Sequence, residues 1–263
     1  MRVACIQVLT DNNLYDNLKK IKKQIFISIK QKADLIITPE VSSVFSFDKK
    51  KLLKELNSLQ KDLFVNEIKK IAKKYKKWIL IGSIVSKDKG KLFNRSVLIN
   101  PKGLINTYYD KRHMFDVSLN KKEKYFESKT FTAGKKIKIA KLPWGKLGLS
   151  ICYDLRFPNH YRMMSKMGAS FLAVPSNFLE TTGKLHWHTL LKARAIENFC
   201  YIFAPGQYGT HYNGIKVFGH SMIISPDGEI LKELKKGEGV IVQKIDPKLP
   251  FVLRSKIPSL TKN

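Results

Sequence analysis

Cys152 stands at the end of the apolar run Gly148-Leu149-Ser150-Ile151, after the turn signal Pro143-Trp144-Gly145-Lys146 and before a polar and aromatic cluster closed by Pro158. A strand that delivers a side chain into a turn is how a fold presents a nucleophile. Two other polar residues hold equivalent positions. Glu40 follows Leu35-Ile36-Ile37-Thr38-Pro39, and Lys111 follows the run from Leu104 to Tyr109. In α/β sheets ligands gather outside the carboxyl ends of strands, so residues far apart in sequence can converge there. A thiol with a free pKa of about 8.5 attacks as thiolate and needs a base or cation beside it. Glu40 can take that proton and pass it to a leaving amine, while Lys111 can supply positive charge where a carbonyl oxygen becomes an oxyanion. The set suits acyl transfer. On spacing alone, solvent-facing charges are the commoner account of a Glu after a Pro and a Lys after an Asp.

Rival constellations are weaker. Gly148-Leu149-Ser150-Ile151-Cys152 matches a serine-hydrolase elbow until its last position, where glycine is required. A cysteine–histidine pair could draw on His113, His186 or His220, but the local signature around the cysteine is missing. His186-Trp187-His188 offers two imidazoles, and no acidic residue or cysteine joins them at ligand spacing, so no metal is expected. Gly206, Gly209 and Gly214 match no phosphate-binding fingerprint, and no cofactor is expected.

The positioning elements follow from periodicity. Apolar residues at Leu14, Leu18, Ile21, Ile25 and Ile29 predict a helix from Asn13 to about Lys30. A second helical stretch over 50–77 breaks near Lys61-Asp62. Trp78 to Val85 reads as a strand covered on both faces, and strands over 92–100 and 104–109 lead to Lys111. Residues 114–134 read as one charged, irregular loop. Strands over 137–142 and 146–151 reach Cys152, a helix covers 159–167 and a strand 170–174. A helix over 184–198 carries an apolar stripe of Leu185, Leu190, Leu191, Ala195 and Ile196. Strands close the chain at 201–205, 221–225, 229–234 and 239–245. Alternating strands and helices with interposed hairpins predict a layered α/β sandwich.

Composition bounds the rest. The 263 residues, 43% hydrophobic, suffice for one large domain over 1–263. The three cysteines include Cys5 and Cys200 inside apolar runs, where cysteine acts as a small hydrophobe. Neither a disulfide framework nor a signal-peptide layout is apparent, and the expectation is a soluble cytoplasmic protein without a membrane span. The formal charge of +28 comes from 49 basic residues of which only seven are arginine. Phosphate and base recognition favours the arginine fork, and the lysines are spread over helical surface patterns. No specific nucleic-acid partner is expected.

Thr38-Pro39-Glu40, the segment from Tyr109 to Asp116 and the segment from Gly148 to Pro158 resemble the three signature segments of the nitrilase, or carbon–nitrogen hydrolase, superfamily. Pro175-Ser176-Asn177-Phe178 with Thr182-Gly183, His186-Trp187 with Ala193 to Asn198, and Gly219 to Met222 draw the resemblance to its Nit branch, nearest to the deaminated glutathione amidases. The resemblance implies a four-layer α-β-β-α sandwich with two mixed sheets. It implies Cys152 as nucleophile, Glu40 as general base, Lys111 as the cation for the tetrahedral intermediate and Glu127 as a supporting carboxylate. It also implies the Tyr153 N–H as oxyanion donor, Arg156 as the anchor of a substrate carboxylate, and Phe178 and Thr182 as pocket lining. By residue type alone, Arg156 is equally an ion-pair partner of Asp154. Three departures, Leu185, His188 and Asn177, are expected to border the acyl pocket.

The implied activity is hydrolysis of a linear amide of a 2-oxo dicarboxylic acid through a cysteine thioester, with deaminated glutathione as first substrate. Alternatives are an ω-amidase acting on 2-oxoglutaramate, an N-carbamoyl hydrolase, and, from another class, a catalytically idle basic binding protein. A homodimer is the expected assembly.

Overall fold

Alternation along the first strand sets up the layers. In β1 (Arg2–Gln7) successive side chains point to opposite faces: Ala4 and Ile6 enter one hydrophobic cluster, Val3 and Cys5 another. The structure, a computed structural model, describes residues 1–121 and 123–260. Lys122 of the 114–134 segment and residues 261–263 of the one-domain reading lie outside the described residues.

The first half of the chain runs α1 (Leu14–Lys30), β2 (Leu35–Ile37), α2 (Lys49–Glu55), α3 (Leu63–Tyr75), β3 (Trp78–Asp88), β4 (Lys91–Ile99) and β5 (Ile105–Asp110). Asn13 caps α1 by accepting the N–H groups of Tyr15 and Asp16, and Asp62 caps α3 through the Val65 N–H, which fixes the break seen in the periodicity. A short hairpin, β6 (Asp116–Ser118) and β7 (Lys124–Phe126), and a 3₁₀ turn at Glu127–Lys129 give order to the segment read as an irregular loop.

The second half holds β8 (Lys138–Leu142), β9 (Gly145–Leu149), α4 (Pro158–Lys166), β10 (Ala169–Ala173), α5 (Glu180–Asn198) and β11 (Tyr201–Ala204). It closes with β12 (Tyr208–Thr210), β13 (Lys216–Phe218), β14 (Ser221–Ile224), β15 (Ile230–Leu234), β16 (Gly239–Lys244) and α6 (Leu249–Lys256). The β12–β13 hairpin and α6 carry no periodicity long enough to predict them.

Two six-stranded sheets result, ordered β16-β1-β2-β3-β4-β5 and β15-β14-β11-β10-β9-β8. Each has a parallel centre, β1-β2-β3 and β9-β10-β11, flanked by antiparallel strands. Helices α1 and α3 cover the outer face of the first sheet through Leu18, Ile21, Ile25, Phe64, Ile68 and Ala72. Val3, Cys5, Leu35, Leu80 and Leu98 meet the second sheet across the centre, and Tyr161, Met164, Trp187 and Leu191 of α4 and α5 complete the fourth layer. Cys5 and Cys200 are fully buried, as read from the sequence. No helix among the described residues is long and apolar enough to cross a membrane.

The stripe assigned to α5 is corrected. The helix starts at Glu180, Leu185 is 70% exposed and Ile196 is 47% exposed. The buried face is Thr182, Gly183, Trp187, Leu191, Arg194 and Ala195. Arg194 can occupy it because its guanidinium donates to the Leu155 carbonyl at 2.9 and 3.0 Å, so the buried charge is hydrogen-bonded.

Candidate active site

Glu40 lies three residues beyond β2, in a loop that leaves its sheet under tight constraint. The Thr38 hydroxyl accepts the Gly82 N–H at 3.0 Å, and a Cβ on Gly82 would fall 2.0 Å from the Thr38 carbonyl, so only glycine permits this approach. Val41 follows with φ of 51°, a left-handed conformation costly for a β-branched residue. Its N–H donates to Ser83 Oγ at 2.8 Å, which helps hold it there. The result is a Glu40 carboxylate 4% exposed and aimed between the two sheets.

Lys111 arrives from the end of β5. Because β3, β4 and β5 pair by two successive antiparallel steps, β5 runs in the same direction as β2, and the two strand ends lie on one side of the sheet. Lys111 Nζ lies 2.9 Å from Glu40 Oε1 and 2.9 Å from Glu127 Oε2. Asn94 of β4 donates from one Nδ2 to Glu40 Oε1 at 2.9 Å and to Glu127 Oε1 at 3.1 Å, while the Phe115 N–H donates to Glu127 Oε2 at 2.7 Å. Lys111 is the only buried lysine among the described residues. Burial alone lowers its pKa, but the Glu127 and Glu40 carboxylates outweigh it and hold the ammonium well above the usual lysine range. It stays charged.

Cys152 opens the 3₁₀ turn Cys152–Arg156 with φ of 46°, and its N–H donates to the Pro175 carbonyl at 3.0 Å. Glu40 shares this cleft with the sulfur, and the Asn177 N–H donates to Glu40 Oε2 at 2.7 Å, holding the carboxylate in place. Burial raises the thiol pKa most; the Glu40 charge adds to that and Lys111 opposes it, for a net rise well above the usual range. The resting group is therefore a neutral thiol in the same cleft as the Glu40 carboxylate. Among the described residues the Tyr153 N–H has no hydrogen-bond acceptor, which leaves it available to an incoming oxygen.

Asp154 ties this turn to the Lys111 segment, and sequence reasoning missed it. Fully buried, it accepts the Ile151 N–H at 2.9 Å, the Tyr109 hydroxyl at 2.6 Å, and the N–H and Nδ1 of His113 at 3.1 and 2.6 Å. Tyr109 and His113 stand two residues on either side of Lys111. The expected alternative, an ion pair between Asp154 and Arg156, is not formed: Asp154 turns inward, while Arg156 lies 5.4 Å over the Phe178 ring with Nη1 3.3 Å from His186 Nδ1.

Glu40, Lys111, Glu127 and Cys152 form the floor of one cleft of about 740 Å³ including its open mouth, and Tyr153, Arg156, Phe178 and Thr182 line the same cleft. Phe45, Phe47, Phe115, Tyr125 and Phe131 supply an apolar wall. Of the three departures only Asn177 borders the cleft; Leu185 is exposed and His188 faces Glu233 instead. The reason is helical phase, since Thr182, Gly183 and Trp187 face inward from α5 while Leu185 and His188 do not. The His186–His188 pair also parts, His186 toward Arg156 and His188 toward Glu233, 45 residues downstream. A thiol, a carboxylate, a fixed ammonium and a free N–H around one cleft can carry out nucleophilic acyl transfer.

Comparison with known proteins bears on the same residues. A deaminated glutathione amidase of Synechocystis sp. is 37% identical over 262 residues, 98% of this chain and 96% of that protein. Omega-amidase NIT3 of Saccharomyces cerevisiae is 31% identical, with 100% and 92% covered. The crystal structure of the C. elegans NitFhit protein superposes with a TM-score of 0.92 at 31% identity, covering 100% of this chain and 64% of that longer one. The sequence model described as carbon-nitrogen hydrolase matches residues 2–249, and the chain accordingly belongs to the carbon–nitrogen hydrolase family of amide-cleaving enzymes.

Proposed function

We propose that this enzyme hydrolyses the amide of deaminated glutathione, releasing 2-oxoglutarate and cysteinylglycine. The observation that carries the reading is one cleft lined by the Cys152 thiol, the Glu40 carboxylate and the buried Lys111 that pairs with Glu40 at 2.9 Å, with Arg156 its only arginine among the described residues. Relatives named deaminated glutathione amidase support the substrate.

In this mechanism the 2-oxo acid end of the substrate enters toward Arg156, whose guanidinium holds its carboxylate by charge-assisted hydrogen bonds. Phe178 and Thr182 flank the acyl chain. Cys152 Sγ attacks the amide carbonyl as Glu40 takes the thiol proton, so no free thiolate accumulates in the buried, carboxylate-rich floor. The carbonyl oxygen gains charge between Lys111 Nζ and the Tyr153 N–H. The C–N bond breaks, the amine leaves with the proton from Glu40, and a 2-oxoglutaryl thioester remains on Cys152. Water attacks that thioester, Glu40 takes its proton and returns it to sulfur. Glu127, beside Glu40 and joined to it through Asn94, pairs with Lys111 and keeps the cation in place through both halves.

ω-Amidase activity on 2-oxoglutaramate is the second reading, favoured by the likeness to the yeast omega-amidase. Both amides deliver the same acyl group to Cys152 and differ in leaving group. An N-carbamoyl amine is less apt because it carries no carboxylate for Arg156 to hold. The reading further takes residues 1–263 as one catalytic domain, cytoplasmic and homodimeric, without a cofactor and without a nucleic-acid partner.

The test is product release from the two amides side by side. The proposal expects kcat/KM for deaminated glutathione to exceed that for 2-oxoglutaramate. The reverse order moves the assignment to an ω-amidase, and turnover of neither leaves the idle binding protein, whose binding to nucleic acid would weaken steeply with salt.

A further inference from the structure

Away from the cleft, three side chains from three elements meet. His188 comes from α5, His220 from the turn between β13 and β14, and Glu233 from β15. Glu233 Oε1 lies 2.9 Å from His188 Nε2 and 2.6 Å from His220 Nδ1, and the three donor atoms all lie within 4.8 Å of one another. The side chains are 37%, 20% and 15% exposed, so each is half in the protein and reachable from solvent. None of them lines the catalytic cleft.

The surroundings hold the cluster in place. His220 has φ of 51°, left-handed and unfavourable for a residue with a Cβ. Its carbonyl accepts the indole N–H of Trp187 at 2.9 Å, which ties the turn to the residue preceding His188. Phe218 stacks on the His220 ring at 4.0 Å and meets His188 edge-on at 6.1 Å. The close packing of Phe218 on α5 depends on Gly183, where a Cβ would fall 2.4 Å from the Phe218 ring. Both imidazoles are thus oriented before any ligand arrives.

We propose that His188 Nε2, His220 Nδ1 and the Glu233 carboxylate form a binding site for a divalent transition-metal ion of the zinc class, separate from the catalytic centre. Two imidazole nitrogens and one carboxylate make a donor set that suits zinc with one coordination position left to solvent, whereas calcium and magnesium take oxygen donors. Ligand bonds of about 2.0–2.2 Å in tetrahedral geometry set the donors roughly 3.3 Å apart. The carboxylate oxygen, now 2.9 Å from His188 Nε2 and 2.6 Å from His220 Nδ1, therefore moves about 0.4 Å and about 0.7 Å farther from them on binding. The protons now shared in the two hydrogen bonds leave as the ion enters, because only bare imidazole nitrogens ligate. The bound ion clamps α5 to β15 and to the β13–β14 turn. Phe218 in that clamp donates its N–H to the Phe178 carbonyl at 2.9 Å, so the clamp extends to the cleft wall.

Metal binding, read without any amide turnover, tests this. Metal-free protein is titrated with Co²⁺, followed by visible absorption, and with Zn²⁺ against a chromophoric chelator. The expected result is one ion per chain with tetrahedral Co²⁺ bands, unchanged in Cys152→Ala. His188→Gln and Glu233→Gln each weaken Zn²⁺ binding roughly 100-fold or more, while their metal-free unfolding temperatures stay near that of the wild type. His188→Cys keeps a ligand and adds a sulfur-to-cobalt charge-transfer band, a gain that a misfolded variant cannot give. Binding that survives both glutamine variants, is lost in Cys152→Ala, or does not occur at all overturns the site.

Discussion

The Tyr109 hydroxyl donates to the fully buried Asp154 carboxylate at 2.6 Å and so joins the strand end that carries Lys111 to the turn that carries Cys152. Burial disfavours the charged carboxylate, yet hydrogen bonds from His113, Tyr109 and the Ile151 N–H, with the nearby His160, bring its pKa below the usual range. Tyr109→Phe removes one donor and leaves a buried oxygen under-satisfied. The expected cost is about 1–3 kcal/mol in denaturant unfolding. A loss of kcat with little change in KM is expected alongside it, because the joint positions reacting groups rather than substrate. Stability and kcat equal to the wild type would remove Asp154 from this positioning role.

Lys111→Met deletes the cation between two buried carboxylates. Breaking a buried pair by removing one partner costs about 3–5 kcal/mol, and loss of an oxyanion donor lowers kcat by roughly 10²–10³-fold. Glu127→Gln is milder: it keeps the shape, retains the Lys111–Glu40 contact and is expected to lower kcat roughly tenfold, or ~1.4 kcal/mol in the barrier. Steady-state kinetics together with urea unfolding separates the two effects. A Lys111→Met enzyme of normal stability and rate contradicts the arrangement.

Arg156→Ala is expected to raise KM for substrates with a free 2-oxo acid by roughly 10–100-fold, the value of a charge-assisted hydrogen bond of about 1.5–3 kcal/mol. Arg156→Lys recovers only part of this, since an ammonium lacks the planar fork. The same amides esterified at that carboxylate provide the control. An equal KM rise for the esters would show that Arg156 shapes the cleft without reading the carboxylate.

His211 predicts a pH dependence of stability. It is 2% exposed, stacks on Phe45 at 3.8 Å, and its Nε2 lies 2.9 Å from Asn177 Oδ1, so the folded state holds it neutral. Burial is the main cause that lowers its pKa from 6.5 to about 4, against the opposing pull of Asp11 and the Thr10 backbone. The unfolded chain protonates this group near 6.5 and the folded one only near 4. Stability attributable to His211 is therefore complete above pH 6.5 and falls between 6.5 and 4 by on the order of 3 kcal/mol. His211→Gln, which keeps a donor toward Asn177, flattens that limb in urea unfolding at pH 4 to 7. A wild-type slope in the variant would contradict it.

Much of the site was legible because position at a strand end is a property of sequence. Glu40, Lys111 and Cys152 each follow an apolar run, and the sheet register then brings them together. Asn94 was not legible: it looks like one polar residue within a strand, and only the pairing of β4 with β3 and β5 aims its amide at Glu40 and Glu127. Glu233 was hidden for the same reason, since its approach to His188 spans 45 residues and depends on how α5 lies over the second sheet. On α5 itself, residue type misled. Leu185 and Ile196 look like core but face outward, while Arg194 looks like surface and is buried against the Leu155 carbonyl. Among the many lysines behind the +28 charge, strand-end position marks Lys111 in the sequence, and burial sets it apart from every other described lysine.

The central claim is that Cys152 carries the acyl group while Glu40 moves its proton. Rapid acid quench during turnover of deaminated glutathione, followed by intact-protein and peptide mass spectrometry, tests it most directly. The account predicts a 2-oxoglutaryl adduct on Cys152, absent from Cys5 and Cys200. It also predicts that the adduct forms at least 100-fold more slowly in Glu40→Gln, on the order of what general-base catalysis supplies, and not at all in Cys152→Ala. Amide cleavage that continues in Cys152→Ala, or an adduct that forms at the wild-type rate in Glu40→Gln, would contradict it.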